Sequence, residues 1–190
     1  MQTKWPQYEV ADDAMVYAIG VVSINYARFE RTHTWMTSAV SNIPEDRARI
    51  VMARVNAADR IRLIETFVTQ NNWPAEAAAA VRHYIRAADI LITNRNILIH
   101  SNIVRTSENR SAIYSLTRKG TSNLFQASAE EVRKVADDLN DYFSYGLALA
   151  NYIATEIHHL ARQAGMLVVS QLPEAPPLPF HIDPKQRGQN

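Results

Sequence analysis

The stretch PAEAAAAVRHYIRAADILITNRNILIH, Pro74 to His100, reads as one long helix that carries most of the chain's chemistry at its far end. Pro74 suits a first helical turn, where the missing N–H is no loss, and Ala75 to Ala80 is a run of strong helix formers. At about 100° per residue, Arg82, Arg86, Asp89, Thr93, Asn96 and His100 fall on one polar stripe. Tyr84, Ala88, Leu91, Ile92, Leu98 and Ile99 form a broad apolar arc, and Arg95 projects from the middle of it.

Working outward, Pro6 and Pro44 also precede long stretches of helical periodicity, and no other proline appears before Pro173. In the first stretch Met15, Ile19, Val22, Tyr26, Phe29, His33, Met36 and Val40 recur at spacings of four and three, the stripe of a bundle-facing helix. The second runs from about Glu45 to Gln70, with Ile50, Ala57, Ile61, Ile64 and Val68 inside and Arg47, Arg49, Arg60 and Arg62 facing mostly out. The fourth opens at Ser128, which with Glu131 forms a capping box, and runs through Val132, Leu139, Tyr142, Leu149 and Ile157 towards Gly165. Between the third and fourth helices the period falls to two, which predicts a small β-hairpin at about 103–117. The fold class is therefore all-α, an up-and-down bundle of four long helices with an inserted hairpin. Residues 7–165 make the bundle domain and 166–190 a proline-rich C-terminal tail, read as an extended, polyproline-like arm.

Apolar residues make up 47% of the chain and charged residues 21%, a globular composition that excludes wholesale disorder. The net charge of +1 leaves any basic surface to local clustering, and the hairpin supplies one in Arg105, Arg110, Arg118 and Lys119. The chain has no cysteine, which excludes disulfides, thiolate metal sites and cysteine nucleophiles. No signal peptide or membrane-spanning run is legible, so a soluble, cytoplasmic protein without membrane contact is expected. Phosphate-binding glycine loops, nucleophile elbows and zinc-protease helix motifs are absent.

An arginine on an apolar arc must be answered by an anion. One reading pairs Arg95 with a core acid such as Glu30, Glu65 or Glu156; the other leaves it lining a cleft or subunit interface, where a planar guanidinium grips phosphate. Histidine is the side chain whose unperturbed charge change falls near neutral pH, which makes His100 a candidate proton carrier. Five residues apart on a regular helix, the two side chains diverge by roughly 140°. The expectation is that either the helix breaks near His100 or a second copy completes the site across a two-fold axis.

Arg95-Asn96 followed by three residues and His100, at the end of an apolar helix, resembles the Arg-polar-x-x-x-His motif of HEPN domains. The flanks agree: Ala87-Ala88-Asp89-Ile90-Leu91 leads in, His100-Ser101 leads out, and a hairpin and long helix follow. The order is similar to that of small bacterial HEPN-like proteins, with the Phe29-Glu30 region as a second likeness, and the resemblance spans roughly Tyr8 to Ala164. Ser101 stands where many relatives carry glycine. The resemblance implies a helical bundle, often dimeric, whose active members cleave RNA without a metal or cofactor, in toxin–antitoxin or phage-defence settings. It implies His100 as general base or acid, Arg95 as stabiliser of the developing phosphorane charge and Asn96 as an orienting or phosphate-binding group. The hairpin cations would hold RNA backbone, and Glu30 would stand behind the site. Implied partners are RNA, a second copy with the site at the two-fold interface, and an antitoxin or other protein.

Two rival readings come from the residues themselves. Glu30–His33 and Glu156–His159 have the Glu-x-x-His spacing of di-iron carboxylate bundles, but the third helix offers only Asp89, and Arg95 would repel metal. Alternatively the chain is a non-catalytic HEPN-like interaction or nucleic-acid-binding module, its tail docking a partner.

Overall fold

The structure, a computed structural model, describes residues 11–70, 73–105, 111–116, 122–125, 127–158 and 171–182. It is mostly helical: α1 spans Asp13–Ser41, α2 Glu45–Met52, α3 Ala57–Gln70, α4 Ala75–His100 and α5 Ala129–Tyr152, the last running into a π-helical turn, Ile153–Ile157. Each long helix starts where the sequence offers a cap. Asp12 accepts the Met15 N–H at 2.7 Å, Pro44 and Pro74 precede α2 and α4, and Ser128 and Glu131 close a reciprocal capping box on α5. Asn42, with φ 54°, ends α1 in the left-handed conformation that asparagine tolerates better than most residues.

The expected second helix is two helices. Asn56 accepts the Asp59 N–H at 3.0 Å, so α3 has its own N-cap, and Arg60 Nε donates to the Met52 and Val55 carbonyls at 3.0 and 2.8 Å across the break. The break also moves the inner face of α2 to Ala48 and Met52, leaving Ile50, expected inside, largely exposed. The expected hairpin is present as β1 (Asn102–Arg105) and β2 (Ser111–Leu116), paired antiparallel from Asn102↔Tyr114 to Arg105↔Ser111. A third strand, β3 (Ser122–Phe125), extends it into an antiparallel sheet of order β1-β2-β3, registered from Ile113↔Phe125 to Leu116↔Ser122. Ala112 and Ile113 anchor the sheet in the core.

α1 lies mainly along α5 and also touches α2, α3 and α4. Phe29, Met36, Tyr84, Leu91, Leu139 and Leu149 are fully buried between them. The tightest crossing is at Gly146 of α5, where a Cβ would stand 2.7 Å from Tyr84 Cε2 and 3.2 Å from Thr32 Cβ. Among the described residues no helix is long and apolar enough to cross a membrane.

Residues 171–182 of the proline-rich tail lie extended on the bundle, in the groove between α4 and α5. Both amide atoms of buried Asn94 are used: Nδ2 donates to the Phe180 carbonyl at 2.5 Å and Oδ1 accepts the Ile182 N–H at 2.9 Å. Asp138 accepts the Phe180 N–H at 2.9 Å, and Ile182 is buried. The expected domain boundary after residue 165 lies outside the described residues.

Candidate active site

The last two turns of α4 present Arg95, Asn96 and His100. Asn94, Arg95 and Asn96 point in successive directions about 100° apart, and only the first points into the core. Ala87, Leu91, Asn94 and Leu98, spaced four, three and four, form the buried stripe. Arg95 sits beside it, half-buried, and Asn96 and His100 are exposed. The expectation that Arg95 occupies the middle of the apolar arc is thus off by one residue: the buried polar group of this helix is Asn94.

Arg95 and His100 meet within one chain. Arg95 Nη1 lies 3.0 Å from His100 Nε2 and donates to Asn96 Oδ1 at 3.1 Å. The expected divergence, which called for a second copy or a broken helix, fails for a simple reason. α4 stays regular to His100, and the long arginine side chain folds along the helix surface over the roughly 7.5 Å of axial rise between the two residues. Ser101, at φ −99° and ψ 156°, is ordinary extended backbone, so the turn beyond His100 does not require glycine.

A guanidinium has no acceptor lone pair, so Arg95 is the donor and His100 Nε2 the acceptor. In this contact the imidazole is neutral and carries its hydrogen on Nδ1, leaving Nε2 as the basic atom. The other side of Arg95 rests on an aromatic platform, with Cζ 4.9 Å from the Tyr26 ring centroid. Burial and the Glu30 carboxylate push the Tyr26 phenol above its ordinary value, and Arg95 and Arg60 pull it part of the way back. The platform remains a neutral ring.

None of the expected acids answers Arg95. Glu30 binds Arg60 Nη1 at 2.6 Å, and among the described residues neither Glu65 nor Glu156 forms an ion pair with Arg95. Glu30 is thus held by Arg60, and its charge is felt at Tyr26 rather than at Arg95. Arg60, expected to face out, is turned inward because its guanidinium bridges the α2/α3 break to α1. Of the hairpin cations, Arg105 lies on β1 at the sheet edge, while Arg110, Arg118 and Lys119 fall outside the described residues.

The rival Glu-x-x-His pairs are placed differently. His33 is wholly buried against Phe29 and Tyr84, with ring centroids 4.9 and 6.0 Å away, and neither ring nitrogen has a hydrogen-bond partner. Glu30 is engaged by Arg60, His159 is outside the described residues, and no group of three His, Asp or Glu side chains gathers among those described.

The sequence named Arg95, Asn96 and His100, which lie together, but did not single out Tyr26 as the platform or Asn94 as the buried polar residue. Tyr26 was legible only as a stripe residue. Asn94 could have been found by the four-three spacing from Ala87 to Leu98. Scanned against protein-family models, curated proteins and solved structures, the chain matches none of them.

Proposed function

We propose that the chain is a HEPN-like, metal-independent endoribonuclease whose site is carried by the end of α4. The observation that supports this reading best is the 3.0 Å contact between Arg95 Nη1 and His100 Nε2, open to solvent and with no carboxylate on the arginine among the described residues. A cation free to take a phosphate beside a neutral imidazole is the minimum that RNA transesterification requires, because the ribose brings its own nucleophile.

In the proposed reaction His100 Nε2 takes the proton of the 2′-hydroxyl as the 2′-oxygen attacks the adjacent phosphorus. Arg95 swings its Nη donors from His100 and Asn96 to the non-bridging oxygens, where charge develops. The bond to the 5′-oxygen breaks, that oxygen takes a proton from water, His100 returns its proton to the hydroxide so formed, and the products are a 2′,3′-cyclic phosphate and a 5′-hydroxyl. Asn96, released by Arg95, is placed to hold the same phosphate, and Tyr26 fixes the plane of the guanidinium. The contact is intramolecular, so the chemistry does not depend on a two-fold axis. Toxin or defence roles and an antitoxin partner belong to this proposal, as does the up-and-down bundle of the family.

The test is incubation of the purified protein with RNA in chelator. Cyclic-phosphate ends are expected, with loss on His100→Ala and on Arg95→Ala. Cleavage that persists in His100→Ala removes the proposed base, and no cleavage of any RNA favours a non-catalytic binding module.

A further inference from the structure

The contacts of residues 171–182 have the form of a ligand in a site. The groove recognises main-chain atoms with side chains drawn from two helices. His83 Nε2 lies 2.8 Å from the Pro176 carbonyl, and the Tyr142 hydroxyl donates to the Pro176 and Pro177 carbonyls at 3.1 and 3.2 Å. His83 Nε2 also lies 2.8 Å from the Tyr142 hydroxyl, so His83, Tyr142 and the Pro176 carbonyl form one polar cluster. His83, Tyr142 and Tyr145 form an aromatic wall, with centroids 5.9–6.2 Å apart. Asn94 and Asp138 then hold Phe180 and Ile182, and Lys134 Nζ lies 5.3 Å from the centre of the Phe180 ring.

The burial pattern fits a threefold screw. Pro173 and Pro176 are half-buried and Pro179 and Ile182 buried, at intervals of three; Leu172 and Phe180 add half-buried contacts beside this row, and Glu174, Ala175, Pro177, Leu178 and His181 are exposed. Three residues per turn is the period of a polyproline II helix. The lengths agree as well. Six residues at about 3.1 Å take Pro176 to Ile182 over about 19 Å, against about 17 Å for the eleven residues of α4 from His83 to Asn94. Aromatic walls and donors aimed at carbonyls are how folded domains read proline-rich peptides.

We propose that the α4/α5 groove is a recognition site for a polyproline-type segment, filled in one chain by its own residues 171–182 and able to take the same segment from a second copy. The second copy is the occupant the structure argues for, because it carries the one sequence seen to fit. Exchange of identical segments makes no new contact and loses none. Twelve residues, 159–170, separate His158 from Gln171, and a chain of that length reaches up to about 40 Å when extended. The proposal stands on the packing of 171–182 and is independent of the chemistry of Arg95 and His100.

Two full-length variants test it by complementation. Asn94→Ala keeps the segment but loses the groove's clamp; Pro179→Asp with Ile182→Asp keeps the groove but spoils the segment. Each alone should run as a monomer, and an equimolar mixture should form a one-to-one complex by light scattering at micromolar concentration. No complex between variants that keep the parent's circular dichroism overturns the proposal. Should either variant fail to fold, the cysteine-free parent supplies a second measurement. A donor dye on Leu178→Cys, an exposed position of the segment, is mixed with an acceptor on exposed Asp137→Cys beside the groove. Inter-copy energy transfer should rise with concentration and fall at least tenfold when the acceptor copy also carries Asn94→Ala. Absence of transfer, or transfer indifferent to Asn94, overturns the proposal.

Discussion

Replacing His33 with leucine should remove a large part of the protein's acid sensitivity while changing its stability at neutral pH little. His33 is fully buried, and burial, reinforced by the Arg60 charge, pushes its imidazole down to about 3. In the unfolded chain it titrates near 6.5. The folded pKa is therefore the lower one, and folding keeps the ring neutral. Stability is present above the unfolded pKa and is lost as pH falls from 6.5 towards 3, because the unfolded state binds the proton and the folded state refuses it. With those two pKa values and 1.36 kcal/mol per unit, the loss between pH 7 and pH 4.5 is about 2.5 kcal/mol. Urea unfolding of parent and variant at both pH values isolates this contribution, since the carboxylates contribute to both proteins alike. At pH 7 leucine fills a similar space and removes two buried ring nitrogens that lack partners, so a cost of packing is offset by relief of desolvation. Parallel pH curves for the two proteins would refute the reasoning, as they would show that His33 protonates in place or reaches water.

Four further substitutions have outcomes that follow from local geometry. Gly146→Ala should destabilise by roughly 1–3 kcal/mol, because the added Cβ meets the immobile ring of Tyr84 at 2.7 Å. Gly20→Ala, with nothing within 4 Å of its Cβ, should stabilise by about 0.5–1 kcal/mol; thermal melts of the two should shift in opposite directions. Ser128→Ala opens the capping box of α5 and should cost about 1 kcal/mol, read as a lower urea midpoint at unchanged slope. Arg95→Lys keeps the charge but loses the planar guanidinium that lies on the Tyr26 ring while its Nη1 reaches Asn96 and His100, so under the proposed function RNA cleavage in chelator should fall at least tenfold (about 1.4 kcal/mol or more) with the fold intact. Full activity in that variant would show that only the charge matters.

The long helices were legible because periodicity and caps agreed. The α1 stripe, Pro74 before α4 and the Ser128–Glu131 box each combine a local signal with a buried face. The break at 53–56 was missed because Ala53, Arg54 and Val55 suit a continuous helix; the signal against it was Asn56 three residues before Asp59, a cap in mid-pattern. β3 was missed because Ser122 to Phe125 is too short to show alternation and takes its pairing from β2. At the site, the sequence named Arg95, Asn96 and His100 but misjudged how they meet. A helical wheel gives the direction of each Cβ, whereas a long side chain can double back along the surface. The seat of the tail was illegible for another reason. Its contacts join residues 34 to 93 positions apart through main-chain atoms of the segment, which carry no sequence signature.

Asn94 and Arg95 show how one turn of helix serves two surfaces. Asn94 faces inward and its amide spans Phe180 and Ile182, tying α4 to the extended segment and, through Asp138, to α5. Arg95, one step round, faces the edge of the bundle and lies on Tyr26 of α1. The backbone between them is common to both, so the turn presenting Arg95 is held on one side by main-chain recognition and on the other by an aromatic ring. A guanidinium so braced keeps its plane on Tyr26, and among the described residues no acid neutralises it. A carboxylate would have fixed Arg95 equally well but neutralised the charge that the proposed reaction assigns to a phosphate. A ring and a neighbouring amide fix it and leave that charge available.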